Sequence, residues 1–273
     1  METRVLDAID GSDQAFRALE CSFVTVLNPT HTTLHVINPT KKRYEGPGHE
    51  ENWVSNAERE AEEIHDTARE MAGSRAIPLE ETVTRRGRPA ERILEYVDDN
   101  EVDRISVGST GRSRIDTVLV GSVAKKVTRG SPTTVTVVRN VDGGNVTPPE
   151  RVLVAVDGFD RAAGALEFAL REFSDATVTA LYVVDPSEVF ATTPDADAVL
   201  ETTRQRADAL ESTIRTESDR GDPARTVGEY VTEQDIEHLV VGRSGRSGWP
   251  RIRLGSVAEA LVLRAPVPVT VVS

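Results

Sequence analysis

The chain of 273 residues has a single cysteine, Cys21, so no internal disulfide can staple it. That usage fits a reducing cytoplasm. Lysine is nearly absent: Lys41, Lys42, Lys125 and Lys126 are the only four among 32 cationic residues. Against 45 acids they leave a net charge of −13. This acidic, lysine-poor balance looks like the surface of a protein from a high-salt cytoplasm, with an ordinary acidic protein as the alternative. Either surface repels nucleic acid and anionic membrane. No apolar run approaches the length of a membrane span, and no charged-then-apolar leader follows Met1, so a soluble, unsecreted protein is expected. The histidines His31, His35, His49, His65 and His238 are scattered. They form no metal-ligand spacing and no Cys/His or Ser/His/Asp arrangement. A binding module is therefore a better expectation than a hydrolase or metalloenzyme.

What is present is a repeat. Arg4-Val5-Leu6-Asp7-Ala8-Ile9-Asp10-Gly11 returns as Arg151-Val152-Leu153-Val154-Ala155-Val156-Asp157-Gly158, 147 positions later. Leu34-His35-Val36-Ile37-Asn38-Pro39 returns at the same offset as Leu181-Tyr182-Val183-Val184-Asp185-Pro186. Gly87-Arg88-Pro89-Ala90 returns as Gly221-Asp222-Pro223-Ala224, where the offset has fallen to 134, so the second copy is 13 residues shorter in between. The division is a domain over 1–139, a Gly/Pro-rich linker over 140–150 and a second domain over 151–273.

Within each copy, Val/Ile-rich runs alternate with helical patterns, which predicts an α/β fold: two tandem, doubly wound domains with parallel sheets. In the first copy strands are expected near 4–9, 32–37, 80–85, 104–108 and 134–138, and helices near 13–27, 50–72, 89–99 and 122–130. Ala15, Leu19, Phe23 and Val26 give the first helix a core stripe, as Trp53, Ala57, Ala61, Ile64 and Ala68 do for the second. Right-handed crossovers place strand 1 beside strand 4, where the winding reverses and ligands bind at the carboxyl ends. Asp10 ends strand 1 and Gly108 ends strand 4; Asp157 and Gly242 are their counterparts.

At that switch point stands Gly108-Ser109-Thr110-Gly111, then nine residues, then Gly121-Ser122. The same spacing recurs as Gly242-Arg243-Ser244-Gly245, nine residues, then Gly255-Ser256. Glycines allow backbone N–H groups close to an anion, a helix start adds unpaired donors, and Ser122 and Ser256 are expected as N-caps. Arg243, Arg246, Arg251 and Arg253 make the second loop cationic although residues 140–273 carry a net charge of −9. An acid facing a phosphate loop has the polarity of nucleotide binding; a plain helix-capping turn at Asp10-Gly11, and arginines paired with surface carboxylates, are the bland alternatives. No Lys-Ser/Thr follows Gly121 or Gly255, so this is not a P-loop, and a dinucleotide fingerprint would sit after strand 1.

Gly-x2-Gly-x9-Gly-Ser after strand 4, with Val-Leu-x-Ala-x-Asp-Gly at strand 1 and Leu-His-Val-x-x-Pro at strand 2, resembles the ATP-binding branch of the universal stress protein family over both halves. The resemblance implies a Rossmann-like fold of the adenine nucleotide alpha-hydrolase type. It implies that Asp10 and Asp157 hold ribose or adenine and that Val36 and Val183 line the base. Gly108, Gly111, Gly121 and Ser122, with Gly242, Gly245, Gly255 and Ser256, would hold the phosphates, and Val123 and Val257 would add backbone contacts. The ligand would be ATP, with AMP or ADP as alternatives, carrying Mg²⁺ if hydrolysed. A slow Mg-dependent ATPase and a nucleotide-free scaffold are the rival readings. An adenylating or pyrophosphate-cleaving enzyme would instead carry a glycine-rich loop at strand 1, for which Asp10-Gly11-Ser12 is too short.

Three further expectations concern departures between the copies. Residues 134–138 and 268–272, Thr-Val-Thr-Val-Val and Pro-Val-Thr-Val-Val, are apolar edges that should pair inside the chain as a pseudo-dimer like the family's dimer. Residues 216–220 lack β-branched alternation, so the deletion is expected to remove the third strand and leave the second domain with four. Asp7, mid-strand where the second copy has Val154, is expected to pair with His35 or to be protonated or water-bonded.

Overall fold

The computed structural model describes residues 2–40, 53–110, 120–139, 146–158, 160–187, 195–243 and 254–273. The first half runs β1 (Thr3–Ile9), α1 (Asp13–Thr25), β2 (Pro29–Ile37), α2 (Trp53–Ser74), β3 (Leu79–Arg86), α3 (Pro89–Asp99), β4 (Arg104–Gly108), α4 (Ser122–Gly130), β5 (Thr134–Val138). The second runs β6 (Arg151–Val156), α5 (Asp160–Glu172), β7 (Thr177–Val184), α6 (Ala196–Ala209), β8 (Arg215–Arg220), α7 (Pro223–Glu233), β9 (His238–Gly242), α8 (Ser256–Arg264), β10 (Val269–Val272).

All ten strands form one sheet in the order β3-β2-β1-β4-β5-β10-β9-β6-β7-β8. Within each half the pairings are parallel, and the two halves join where β5 meets β10 antiparallel. Residues 134–138 and 268–272 therefore do lie side by side, with Val137 opposite Val269 and Thr136 opposite Thr270. Each would otherwise be an exposed apolar edge; joined, they bury Val135, Val137, Val269 and Val271.

Side chains alternate across the sheet. One face carries Leu6, Ala8, Leu34, Val36, Ile105 and Val107 into a core with α3, α4, α7 and α8 that continues through both halves. On the other face the second half is again apolar, packed beneath α5 and α6. The first half instead buries Asp7, His31, Thr33, His35, His65 and Ser106. Burying such groups costs free energy unless they are hydrogen-bonded. Asp7 Oδ2 lies 2.7 Å from His31 Nδ1, and the Ser22 hydroxyl donates to Asp7 Oδ1 at 2.6 Å. The partner of Asp7 is thus His31, not His35, whose Nδ1 lies 2.9 Å from the Ile9 carbonyl oxygen. Asp7 stands opposite Thr33, flanked on the same face of β2 by His31 and His35, and it is the His31 ring that turns its Nδ1 to the carboxylate.

The second domain has five strands, and the expected loss of its third is overturned. β8 pairs parallel with β7 from Thr179↔Arg215 to Val184↔Arg220. Its sequence, Arg-Thr-Glu-Ser-Asp-Arg, is exposed at every position except Thr216. An edge strand open to water on both faces needs no apolar alternation, and its charges discourage pairing with another chain. The shorter copy is made mainly by α6, with 14 residues against 22 in α2.

Candidate functional site

β1 and β4 pair from Val5↔Arg104 to Ala8↔Val107, so Asp10 and Ser109 leave the sheet side by side at its carboxyl edge. Gly11 follows with φ of 73°, a left-handed turn that glycine adopts without strain. The turn delivers Ser12 as the N-cap of α1, its Oγ accepting from the Ala15 N–H at 3.2 Å. Ser12 also donates to Asp10 Oδ1, from its N–H at 3.1 Å and from its hydroxyl at 2.5 Å. Asp10 therefore braces the turn, and it is half-buried. Asp157 is likewise half-buried, before Gly158 with φ of 80°.

Gly108 answers to a close approach. A Cβ there would stand 2.8 Å from the Gln14 carbonyl oxygen and 3.0 Å from the Ala15 nitrogen, so the end of β4 lies against the first turn of α1. From Ser109 the chain leaves the sheet and comes back at Gly121, whose N–H donates to the Ser109 carbonyl at 2.5 Å. In the second half the Gly255 N–H donates to the Arg243 carbonyl at 2.7 Å. Each loop is thereby closed at its neck. Gly111 lies in 111–119 and Gly245 in 244–253, outside the described residues, as do Arg246, Arg251 and Arg253.

α4 and α8 begin at these necks, and their caps differ from expectation. Gly121 and Gly255 are the N-caps, neither makes a side-chain capping bond, and Ser122 and Ser256 are the first helical residues. Glycine has no side chain to accept from the first turn, so those N–H groups carry no side-chain cap and keep the partial positive charge of a helix start. Ser122 and Ser256 are exposed beside them. Val123 packs partly against the core, whereas Val257 is 36% exposed. Val36, near the carboxyl end of β2, is buried among core side chains, and Val183 is half-buried at the corresponding place on β7.

Arg243 turns into the junction between the halves. It is 1% exposed, and its guanidinium donates across the junction to the Thr128 carbonyl at 2.8 Å and the Thr133 carbonyl at 3.2 Å, and within its own half to the Ser273 hydroxyl at 3.3 Å. Thr128 lies in the last turn of α4, whose unpaired carbonyls attract a cation. The counterpart of Arg243 is Ser109, so the two necks are chemically unequal. Arg139 makes the reverse crossing, donating to the Leu263 carbonyl at the end of α8. The signal that could have marked Arg243 is the mismatch with Ser109 between otherwise matching loops.

The sequence profile described as "Universal stress protein family" matches residues 1–139 and 149–273. The chain belongs to the universal stress protein family. Its tandem form has relatives: a universal stress protein of Mycobacterium bovis is 27% identical over 290 residues, covering 98% of this chain and 96% of that protein. The crystal structure of a universal stress protein from Archaeoglobus fulgidus superposes with a TM-score of 0.78 at 24% identity, covering 99% and 98% of the two chains, a likeness of fold. A shorter family protein from Arabidopsis thaliana, solved with AMP bound, covers 45% of this chain and 90% of its own at 22% identity and a TM-score of 0.35. Among the described residues no helix is long and apolar enough to cross a membrane.

Proposed function

We propose that each half of this universal stress protein holds one adenine nucleotide, ATP foremost, and that the chain acts as a nucleotide-responsive binding module in a stress response. The observation that carries this reading is the pair of uncapped helix starts. α4 and α8 begin at glycine N-caps after the loops that follow β4 and β9, and Asp10 and Asp157 follow β1 and β6, the strands beside them where the strand order reverses. Backbone N–H groups there suit phosphate, and the half-buried carboxylates suit a ribose hydroxyl or adenine amine. In this reading Gly108, Gly111, Gly121, Ser122 and Val123 surround the first phosphates, and Gly242, Gly245, Gly255, Ser256 and Val257 the second. Val36 and Val183 lie against the bases. Among the described residues no three His, Cys, Asp or Glu side chains are grouped to hold a metal, so Mg²⁺ in this reading is carried by the triphosphate itself. The acidic, lysine-poor composition fits a salt-rich cytoplasm, which rising thermal stability in molar potassium chloride would support.

The test is to identify by mass spectrometry the nucleotide that heat releases from the purified protein, then to titrate ATP, ADP, AMP and cAMP by calorimetry. Two sites per chain are expected. Gly111→Val and Gly245→Val should each remove one, because a branched side chain would occupy the space where phosphate meets backbone. No released nucleotide and no binding heat with any of the four would refute the proposal; one site in the unmutated chain would refute its two-site part.

A further inference from the structure

The junction between the halves is nearly symmetric, and its departures from symmetry are matched charges. Thr136 and Thr270 are counterparts at the 134-residue offset; they stand opposite each other and share a hydroxyl hydrogen bond of 2.8 Å. A pseudo-twofold axis therefore passes between them. What either half would meet in a pair with its own copy can be read by exchanging counterpart residues.

On the α4/α8 face, Lys125 Nζ lies 3.5 Å from Glu259 Oε1, and Arg129 pairs with the same carboxylate. Lys125 and Glu259 are themselves counterparts. Two first halves would set Lys125 against Lys125 and Arg129, and two second halves would set Glu259 against Glu259. On the α1/α5 face, Arg104 Nη2 of the first half meets Glu172 Oε1 of the second at 2.5 Å, with side chains 8% and 3% exposed. Glu172 also accepts from the Leu27 N–H at 3.3 Å, and the Arg104 guanidinium lies over the Phe168 ring at 4.6 Å. Burial alone would raise the Glu172 pKa, but hydrogen bonding and charge from Arg104, with hydrogen bonds from Arg171 and the Leu27 N–H, outweigh it and hold the carboxyl below its ordinary range. The counterparts of Arg104 and Glu172 are His238 and Thr25. A pair of first halves would bury Arg104 against Thr25, without a carboxylate. A pair of second halves would bury Glu172 against His238, which burial keeps neutral with a pKa of about 3, leaving it only its own half's Arg171 at 3.0 Å. A buried charge deprived of its partner is heavily penalised, and a like-charge contact at the rim adds to the discrimination. The Arg139 and Arg243 contacts also cross the junction, but their counterparts are Ser273 and Ser109, so each kind of like pair would keep only one of the two arginines.

We infer that the β5–β10 junction is a recognition surface coded for the opposite half: Arg104–Glu172 and Lys125/Arg129–Glu259 direct the first half to pair with a second half and reject a copy of itself. This reading is independent of nucleotide binding.

The test uses the full chain carrying a protease site within residues 140–145. After folding, it is cut, unfolded in urea, refolded by dilution, and weighed by native mass spectrometry, which separates the two halves by mass. Pairs of unlike halves are expected to exceed either like pair more than tenfold; a statistical 1:2:1 distribution would overturn the inference. A second arm transplants the acids of the second half into the first as Thr25→Glu with Lys125→Glu. First-half pairs should then appear in amounts comparable to the unlike pair. If the transplant yields none while refolding into unlike pairs, the charges are not the code and the inference fails.

Discussion

The buried group Asp7–His31–Ser22 can be tested against a control that the chain itself supplies. At the 147-residue offset the second half has Val154, Val178 and Ala169 in those places, an apolar version of the same β1/β2/α1 contact. In the first half all three side chains are buried, with Asp7 linked to His31 at 2.7 Å and to Ser22 at 2.6 Å. Asp7→Val changes little volume but strands His31 Nδ1, while Ser22 keeps the Leu19 carbonyl at 2.8 Å as an acceptor. One stranded buried group costs ~1–3 kcal/mol, and a broken buried pair with ionic character ~3–5, so about 3 kcal/mol is expected for the single change. The triple change Asp7→Val/Ser22→Ala/His31→Val removes every polar member. It leaves a small gap under Phe23, whose ring meets His31 at 4.9 Å, for a net cost of about 1 kcal/mol. The triple variant should therefore be more stable than Asp7→Val alone, by about 2 kcal/mol. Urea unfolding at pH 7, followed by circular dichroism and calorimetry, measures this. If the triple variant is less stable than the single, the polar group is not a coupled unit and the reasoning is wrong.

Burial, with His35 and Arg69 nearby, lowers the His65 pKa to about 4, and burial lowers that of His238 to about 3, both below the unfolded value of about 6.5. The folded chain thus binds fewer protons than the unfolded chain below pH 6.5; this stability is fully present above that pH and falls as pH drops toward 4. The slope should approach 1.4 kcal/mol per pH unit per histidine, roughly, and His238→Gln should flatten it in thermal melts between pH 7 and 4.5. Gly108→Ala forces a methyl group against the main chain of α1, 2.8 Å from Gln14 oxygen, at a cost of ~1–3 kcal/mol, seen as a lower melting temperature; an unchanged value would mean that α1 shifts freely. Glu172→Gln leaves the Arg104 guanidinium buried beside an uncharged amide and should lower stability by about 3 kcal/mol in urea unfolding, whereas loss of an exposed pair such as Arg86–Glu58 should change it by less than about 1.

The sequence by itself determined the repeat, the alternation of strands and helices, and the strand-1/strand-4 crevice, because each is written in local pattern: continuous Val/Ile runs for buried parallel strands, helical stripes such as Ala57, Ala61, Ile64 and Ala68, and glycines at fixed spacing. β8 was not legible, since an edge strand exposed on both faces is specified by its pairing with β7 and carries no hydrophobic signature. Nor could sequence choose His31 over His35 for Asp7, because both lie on the same face of β2, flanking the Thr33 that stands opposite Asp7, and only the orientation of the packed rings decides which one bonds it. Arg243 illustrates the remaining gap. Its position beside Gly242 placed it in a cationic loop, but its long side chain turns through the junction to the end of α4, a surface that exists only once β5 and β10 have paired. Charges draw their meaning from partners distant in sequence, so Arg104–Glu172 and Arg243–Thr128 belong to the tertiary structure alone.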